Sequence, residues 1–482
     1  MSKLFKNYSY NLAYQLFSII VPLITAPYLT RTLGATGTGI YSYVNSTAVL
    51  ITTVVMLGIY NYGNRQVAYV RDSRQQLSNT FWSIMTTRLV LGILGTIFYI
   101  ALILISGRYV SYFFIYYTYV LAYFLDCTWL YVGVEDMKWA VIKNFITKVL
   151  SVVGIFIFVK TPDDTSKYVL LLGCSVLISN ILAYSQLFRY VDKPRFIISN
   201  LINNIKGSAY LFLPSLAATV YLQCDKVMIE MITGETSQVS YYDYSEKIVT
   251  IPLTFITVLN AVVMPRLANE YAKKNKNEVN ALVNKTLSIG LFFAFPMMFG
   301  LMSVASKLIP WYLGNNFIPT VAAIIVISPI VVLNTISGVF GTQYFTATNQ
   351  VQILLKSQLS AVVVNIIINA FLIPNYGFYG AGIATVASSL ICAIVQYIYI
   401  RKQLVLNKFS VMVIKYFICG AIMAGSIYLL TNTKLPTPAT NFYQVMIGVV
   451  VYLFLLGCCK DQNIVIGLNI IKSKVFKKEG KV

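Results

Sequence analysis

Charged residues are scarce in this sequence. Only 11% of its 482 residues are Asp, Glu, Lys or Arg, whereas a soluble globular domain carries about 25%. The deficit runs along the whole chain, and 57% of the residues are hydrophobic. No stretch is left for a soluble domain of about 100 residues. The composition therefore predicts one polytopic, all-α membrane protein.

Several features of enzymes are also missing. Histidine, the side chain most used for acid–base chemistry near neutral pH, is absent. There is no nucleotide-binding G-x-x-x-x-G-K-[ST] loop and no nucleophile elbow. The seven cysteines fall in apolar runs without metal-ligand spacing: Cys127, Cys174, Cys224, Cys392, Cys419, Cys458 and Cys459. We expect no enzyme activity, cofactor or metal site.

The net charge of +21 does not indicate a nucleic-acid partner. The cations sit in short patches between apolar runs, which is typical of loops that face the anionic cytoplasmic leaflet. No soluble fold is predicted that could present a basic patch to nucleic acid. The partners expected from composition alone are membrane lipids.

About 14 apolar stretches are long enough to span a bilayer, which needs about 20 residues per helix. Their approximate ranges are 10–30, 40–61, 81–105, 110–133, 140–160, 168–189, 208–230, 244–265, 286–307, 320–345, 357–373, 379–400, 409–430 and 441–459.

Orientation follows from the loop cations. With a cytoplasmic N-terminus, the inside segments carry about 26 Lys and Arg residues and the outside segments about 6. This bias predicts an even number of spans and two cytoplasmic termini. Two of the longer inside segments, 62–80 and 266–285, mix apolar and charged residues and are interpreted as surface helices.

An internal repeat is visible in the sequence. RTLGATGTGIYSY at 31–43 parallels MITGETSQVSYYD at 231–243, where Gly34 and Tyr41 match Gly234 and Tyr241 at an offset of 200. YVGVEDMKWAVIK from Tyr131 parallels YFTATNQVQILLK from Tyr344. The matches keep order and helix parity, which predicts a parallel repeat about an axis along the membrane normal. The predicted domains are 1–190 and 208–402, two six-helix lobes; 191–207, a cytoplasmic linker; and 403–482, two further helices with a basic tail.

Charges within the predicted spans are the candidate functional residues, because a charge near the bilayer centre usually faces a cavity or a partner. Arg88 and Asp126 lie at similar depths in consecutive antiparallel helices and are predicted to pair. They are interpreted either as a structural ion pair or as a cavity or coupling site. Lys148 is a further cavity candidate, and Lys415 is interpreted as a lysine that snorkels to the interface.

A second group of charges is predicted near the outer face. Asp225 and Lys226 end the seventh span, Glu246 and Lys247 begin the eighth, and Arg31 ends the first. The first and seventh spans are repeat partners, so these cations are predicted to converge on an outer mouth. Snorkelling is the alternative for each of them.

The stretches NLAYQLFSIIVPLITAPYLTRTLGATGTGIYSY and LDCTWLYVGVEDMKWAVIKN resemble the Wzx-type polysaccharide flippases. These belong to the multidrug/oligosaccharidyl-lipid/polysaccharide exporter superfamily. The resemblance covers essentially the whole chain. It implies two six-helix lobes around a cationic cavity in a bacterial cytoplasmic membrane, and alternating access as the mechanism.

The resemblance also implies a substrate: an oligosaccharide on undecaprenyl diphosphate, moved to the outer leaflet for capsule, exopolysaccharide or O-antigen-type assembly. A polysaccharide polymerase is then an expected partner. Arg31, Arg88, Lys148, Lys226 and Lys247 are the candidates for binding the diphosphate. For coupling to a proton or sodium gradient or for ion pairing, the candidates are Asp126, Asp225 and Glu246.

Three alternatives stay open. A lipid II flippase of the same fold differs only in the sugar. A cation-coupled multidrug exporter of the superfamily usually has 12 helices, which disfavours it. A membrane polysaccharide polymerase typically has a large outer loop, and the predicted outer loops are short.

Overall fold

The structure is a computed structural model that describes residues 3–209 and 212–465. Within these ranges the chain is helical and contains no strand. It divides into two compact units, unit 1 (Met1–Ser240) and unit 2 (Tyr241–Val482). The all-α prediction is confirmed. The prediction that both termini are cytoplasmic concerns residues at the two ends of the chain, and these lie outside the described residues.

In its described residues, unit 1 begins with a long helix and contains ten α-helices that lie wholly within it. Their bounds are α1 Lys3–Thr32, α2 Gly34–Met56, α3 Ile59–Val70, α4 Arg74–Ser106, α5 Val110–Phe124, α6 Thr128–Gly133, α7 Met137–Phe158, α8 Thr165–Tyr184, α9 Leu201–Ala209 and α10 Phe212–Thr233. Helix α5 packs against α8, α7 against both α1 and α8, and α10 against α2.

Helix α11 (Thr236–Thr250) crosses from unit 1 into unit 2. The helices that follow it are α12 Leu253–Ala272, α13 Lys276–Tyr312, α14 Pro319–Ile327, α15 Ile330–Ser337, α16 Val351–Tyr376, α17 Phe378–Ile400, α18 Phe409–Thr431 and α19 Pro438–Cys458. A π-helical segment, Gly338–Phe345, continues α15. Helices α16 and α17 form a hairpin, and α13 packs against α18 and α19.

Eleven helices in the described ranges are long and apolar enough to cross a membrane. The three other predicted spans also fall on helices: 10–30 on α1, 208–230 on α10 and its upstream neighbour, and 244–265 on α11 and α12. A multi-pass membrane protein is therefore shown, while the count of 14 spans stays a prediction.

Of the two regions predicted to form separate surface helices, the structure has a separate helix in one. A separate helix, α3, does occupy much of the first region. In the second region no separate helix forms, so that prediction is wrong: α12 continues to Ala272 and α13 starts at Lys276. Helix α13 has 37 residues and is roughly 55 Å long. It exceeds the hydrocarbon thickness of about 30 Å, so the charged residues simply extend a membrane helix.

The proposed repeat has local structural support. Gly34 separates α1 from α2 and has φ +69°, and Gly234 separates α10 from α11 and has φ +72°. This left-handed conformation favours glycine, which ends a helix without strain from a Cβ. The glycine match at an offset of 200 therefore marks an equivalent helix break at the two positions of the repeat.

The second sequence match marks a shared turn. Before α7, Glu135 has φ +56° and the Asp136 amide donates to the Tyr131 carbonyl at 2.9 Å. Before α16, Asn349 has φ +58° and the Gln350 amide donates to the Phe345 carbonyl at 2.7 Å. The structural offset is 214, one residue more than the sequence alignment gives.

The predicted lobe boundary at residues 191–207 stays a prediction. Helix α10, which was predicted to open the second lobe at residue 208, packs against α2, and unit 1 extends to Ser240. Helix α2 also closely approaches the start of α11: a Cβ on Gly39 of α2 would lie 1.8 Å from the Thr236 carbonyl oxygen. The hydroxyls of Thr38 and Ser240 are 2.6 Å apart in the same region.

Candidate functional site

Arg88 is the most deeply buried cation in the described parts of the chain. It lies on α4 with 1% of its surface exposed. Its guanidinium donates to the carbonyls of Tyr123, at 2.6 Å, and Phe124, at 3.4 Å. These carbonyls belong to the last turn of α5, where backbone acceptors lack helical partners and the helix dipole is negative. Arg88 therefore caps the C-terminus of α5.

Asp126 lies just beyond that turn and has a different partner. Its carboxylate is 2.7 Å from Lys143 Nζ on α7, and the two side chains are only 13% and 11% exposed. The Thr128 backbone amide and hydroxyl also donate to Asp126. The result is a hydrogen-bonded ion pair that joins the α5–α6 connection to α7.

The predicted direct pair between Arg88 and Asp126 is therefore wrong. The depth argument placed them at the same level correctly, because the Arg88 side chain reaches the end of α5 and Asp126 lies just beyond that end. Equal depth does not determine which groups pair, however. Arg88 donates hydrogen bonds to the carbonyls at the end of α5, and Asp126 forms its ion pair with Lys143. Both cations remain electrostatic neighbours of the carboxylate.

The other predicted residues of unit 1 differ in exposure. Lys226 and Asp225 are adjacent on α10 and are 8% and 2% exposed. Lys148, on α7, is half-buried, and Arg31, at the end of α1, is exposed. Each of these four side chains has an interaction within the protein. Among the predicted phosphate ligands of unit 1, Lys226 is thus the most shielded from solvent after Arg88.

Two predicted residues belong to unit 2. Lys247 of α11 is 2.6 Å from Asp243, one turn earlier, and its Nζ lies 5.0 Å from the centre of the Tyr244 ring. Glu246 is half-buried. Because these residues and Lys226 lie in different units, the predicted convergence on an outer mouth stays a prediction.

The sequence analysis missed two buried carboxylates. Glu230 of α10 has no exposed surface, and its nearest cation is Arg108, at 3.7 Å. Asp461, beyond α19, is 2% exposed, pairs with Lys415 and accepts a hydrogen bond from Tyr416. Lys415 therefore makes an ion pair inside unit 2, and its interpretation as a snorkelling lysine stays a prediction. Both carboxylates lie at or just beyond predicted helix ends, where nothing in the sequence distinguishes them from loop charges.

Known proteins resemble the chain over most of its length. Residues 4–271 match the family model described as "Polysaccharide biosynthesis protein", and residues 142–448 match the model "Lipid II flippase MurJ". A "Putative O-antigen transporter" of Escherichia coli is 23% identical over 83% of this chain and 97% of its own. A "Probable low-salt glycan biosynthesis flippase Agl15" of Haloferax volcanii is 20% identical over 64% of this chain and 63% of its own.

A solved structure shares the fold. The lipid II flippase MurJ in its inward closed conformation superimposes with a TM-score of 0.73 and 18% identity, over 95% of this chain and 100% of that one. The fold prediction is confirmed. Because the family model covers more than half of the sequence, the chain belongs to the polysaccharide biosynthesis protein family, and its resemblance to the Wzx-type flippases is confirmed.

Proposed function

We propose that the protein is a flippase that moves an undecaprenyl-diphosphate-linked oligosaccharide from the inner to the outer leaflet of a bacterial cytoplasmic membrane. The observation that carries the proposal is the family match over 4–271. The near-complete coverage of an O-antigen transporter of the same family supports it. Capsule, exopolysaccharide or O-antigen-type assembly would consume the product, with a polysaccharide polymerase as the partner.

The substrate headgroup is anionic, so buried cations would stabilise it where the dielectric constant is low. Arg31, Lys148, Lys226 and Lys247 are the residues proposed to meet its phosphates. Arg88 is proposed to act indirectly instead, because its guanidinium already holds the end of α5. The lipid tail would stay in the bilayer beside the protein during the movement.

Transport is proposed to be alternating access without chemistry on the substrate. The membrane potential, negative inside, favours outward movement of an anionic headgroup by roughly 2.3 kcal/mol per charge at about 100 mV. A proton or sodium ion on Asp225 or Glu246 is a second source of energy, and consumption of the product outside is a third. No nucleotide is required by any of them.

A lipid II flippase is the second candidate function. The observation in its favour is the match of residues 142–448 to the MurJ family model. The two candidates differ in the sugar attached to the lipid diphosphate and not in the transport step.

Both termini are proposed to be cytoplasmic. Cysteines placed at positions 2 and 480 should therefore not react with an impermeant reagent in intact cells, and their labelling would contradict the proposed topology.

Deletion of the gene from a producing bacterium tests the proposed substrate. We expect the lipid-linked oligosaccharide to accumulate on the inner leaflet, where an impermeant glycan-oxidising reagent reaches it only in inside-out vesicles. Peptidoglycan synthesis should continue. Accumulation of lipid II with unchanged polysaccharide export would instead assign the second function.

A further inference from the structure

Unit 1 contains a cavity of about 590 Å³ whose role the proposed function does not define. It lies between α3, the first turns of α4 and the segment that leads into α9. Its volume is within the range of about 300–1,000 Å³ that is typical of small-molecule sites. The rim residues Arg195, Asn200 and Asn203 are exposed, so the cavity opens to the surface of the protein.

The floor of this cavity is fixed by hydrogen bonds. Asn204 of α9 is 6% exposed. Its amide nitrogen donates to the hydroxyls of Ser83 and Thr87, each at 3.0 Å, and its oxygen accepts from the Tyr62 hydroxyl at 3.3 Å. Gly207 lets α9 approach, because a Cβ there would lie 2.4 Å from the Tyr62 ring. The floor is therefore preorganised.

The wall formed by the linker is also held in place. Asp192 accepts from Arg74 Nε at 2.9 Å, and its carbonyl accepts from the Trp82 indole at 3.0 Å. The Ile197 amide donates to the Thr86 hydroxyl at 3.3 Å. The linker is thus anchored along α4, and the cavity does not depend on a loose loop.

The lining of the cavity is rich in carboxamides that the protein leaves unused. In the described part of the chain, the side chains of Gln66, Asn79, Asn200 and Asn203 line the cavity and make no hydrogen bond to another protein group. Each carboxamide offers two donor hydrogens and a carbonyl acceptor. Arg195 is the one cationic side chain among the described lining residues.

We propose that this cavity binds the glycan of the lipid-linked substrate before it is moved, an inference that rests on the proposed function. Sugar hydroxyls both donate and accept hydrogen bonds, so they match a surface of neutral carboxamides. Several cations would bind a diphosphate more strongly than one, and the described lining contains only Arg195. The exposed ring of Phe196 adds an apolar face for the C–H surface of a sugar. The cavity is a sugar subsite separate from the proposed phosphate ligands.

Binding of free glycan tests the subsite directly. The probe is the glycan released by mild acid from the lipid-linked precursor, and saturation-transfer NMR detects it on the full chain in nanodiscs. We expect the Asn79→Leu/Asn203→Leu variant to bind at least tenfold more weakly than the unaltered protein. Gln75→Leu, an exposed position one turn before Asn79 and outside the cavity, should bind within twofold.

A single substitution distinguishes a loss of glycan binding from a folding defect. Asn203→Ala should weaken glycan binding about threefold while the thermal unfolding temperature stays unchanged. Equal glycan binding by the double variant would overturn the subsite. Displacement of the glycan by inorganic pyrophosphate would also overturn it, since it would show an anion site.

Transport kinetics separate this inference from the proposed function. In vesicles, the double variant should raise the KM for the lipid-linked oligosaccharide at least fivefold with little change in kcat. An unchanged KM, with normal transport by the unaltered protein, would overturn the sugar subsite and leave the flippase assignment standing. If the unaltered protein moved no substrate, the proposed function would fail, and the NMR result would still decide whether the cavity binds glycan.

Discussion

At the scale of single residues, hydrophobicity identifies buried charges but does not assign their partners. Arg88 and Asp126 were found from the sequence because each interrupts an apolar run. Their true partners were missed because helix-end carbonyls carry no sequence signal, and because Lys143 was not among the charges singled out within the predicted spans. Lys143 in fact lies within α7, almost two turns from its start.

The pair of Asp126 and Lys143 yields a stability prediction. Because both side chains are largely buried, Asp126→Asn or Lys143→Met alone leaves an uncompensated charge or a broken hydrogen-bond network. Each should destabilise the protein by about 3–5 kcal/mol. The double variant Asp126→Asn/Lys143→Met should cost clearly less than the sum of the two. Thermal unfolding in detergent, followed by circular dichroism, measures the differences.

An exposed ion pair is the matched control. Arg266 and Glu278 are 2.7 Å apart with 66% and 36% of their side chains exposed, so removing either should cost no more than about 1 kcal/mol. Additive effects at Asp126 and Lys143, of the size seen for this control, would mean that their contact does not stabilise the fold.

Asp192 provides a pH-dependent prediction outside the membrane helices. The hydrogen bond from Arg74 holds the pKa of the Asp192 carboxyl below its ordinary value of 3.8. A lowered pKa means that the ionised form is stabilised by folding. The contribution is complete above about pH 4 and is lost as the pH falls through the lowered pKa. We expect the linker to stay anchored at neutral pH and to loosen only under strong acid.

Spin-label mobility at position 199 reports this loosening. In the Asp192→Asn variant the label should already be mobile at neutral pH. Asp72→Asn, an exposed carboxyl on the connection that precedes α4, should behave like the unaltered protein. A label equally immobile in Asp192→Asn would show that the Arg74 contact does not anchor the linker.

At the scale of helices, the sequence is most informative about where apolar segments lie and where they break. All 14 predicted segments fall on helices, and the glycines of the repeat mark equivalent breaks. The sequence is less informative about interruptions inside an apolar run. The π-helical segment Gly338–Phe345 and the division of the 244–265 region between α11 and α12 have no hydropathy signal, because they alter hydrogen bonding and not polarity.

Gly39 tests the close approach of α2 to the start of α11. In Gly39→Ala, the new Cβ would meet a backbone carbonyl, which has no rotamer to change. We expect the free energy of unfolding to fall by about 1–3 kcal/mol. Gly300→Ala is the control, since nothing lies within 4 Å of its added Cβ and alanine favours the helix by up to about 1 kcal/mol. Equal thermal stability of the two variants would contradict the described packing.

At the scale of the whole molecule, the sequence predicted the class of protein, while the boundaries of the two lobes stay a prediction. Composition excluded a soluble domain, and the repeat anticipated two related parts. The extension of unit 1 to Ser240 depends on packing between α2 and α10, two helices far apart in sequence. The grouping of Arg31, Lys148, Lys226 and Lys247 around one substrate likewise depends on tertiary arrangement and stays a prediction.

Reconstituted vesicles test the central claim, which is that cations of the membrane helices guide a lipid-linked oligosaccharide across the membrane. The unaltered protein should carry the substrate to the opposite leaflet faster than protein-free vesicles do. The variant with Arg31, Lys148, Lys226 and Lys247 all changed to Gln should be folded but at least tenfold slower. Changing the exposed residues Lys274, Lys276, Lys402 and Lys408 to Gln should leave the rate within twofold. Full transport by the first variant would refute the cationic path, and no transport by the unaltered protein would refute the flippase assignment itself.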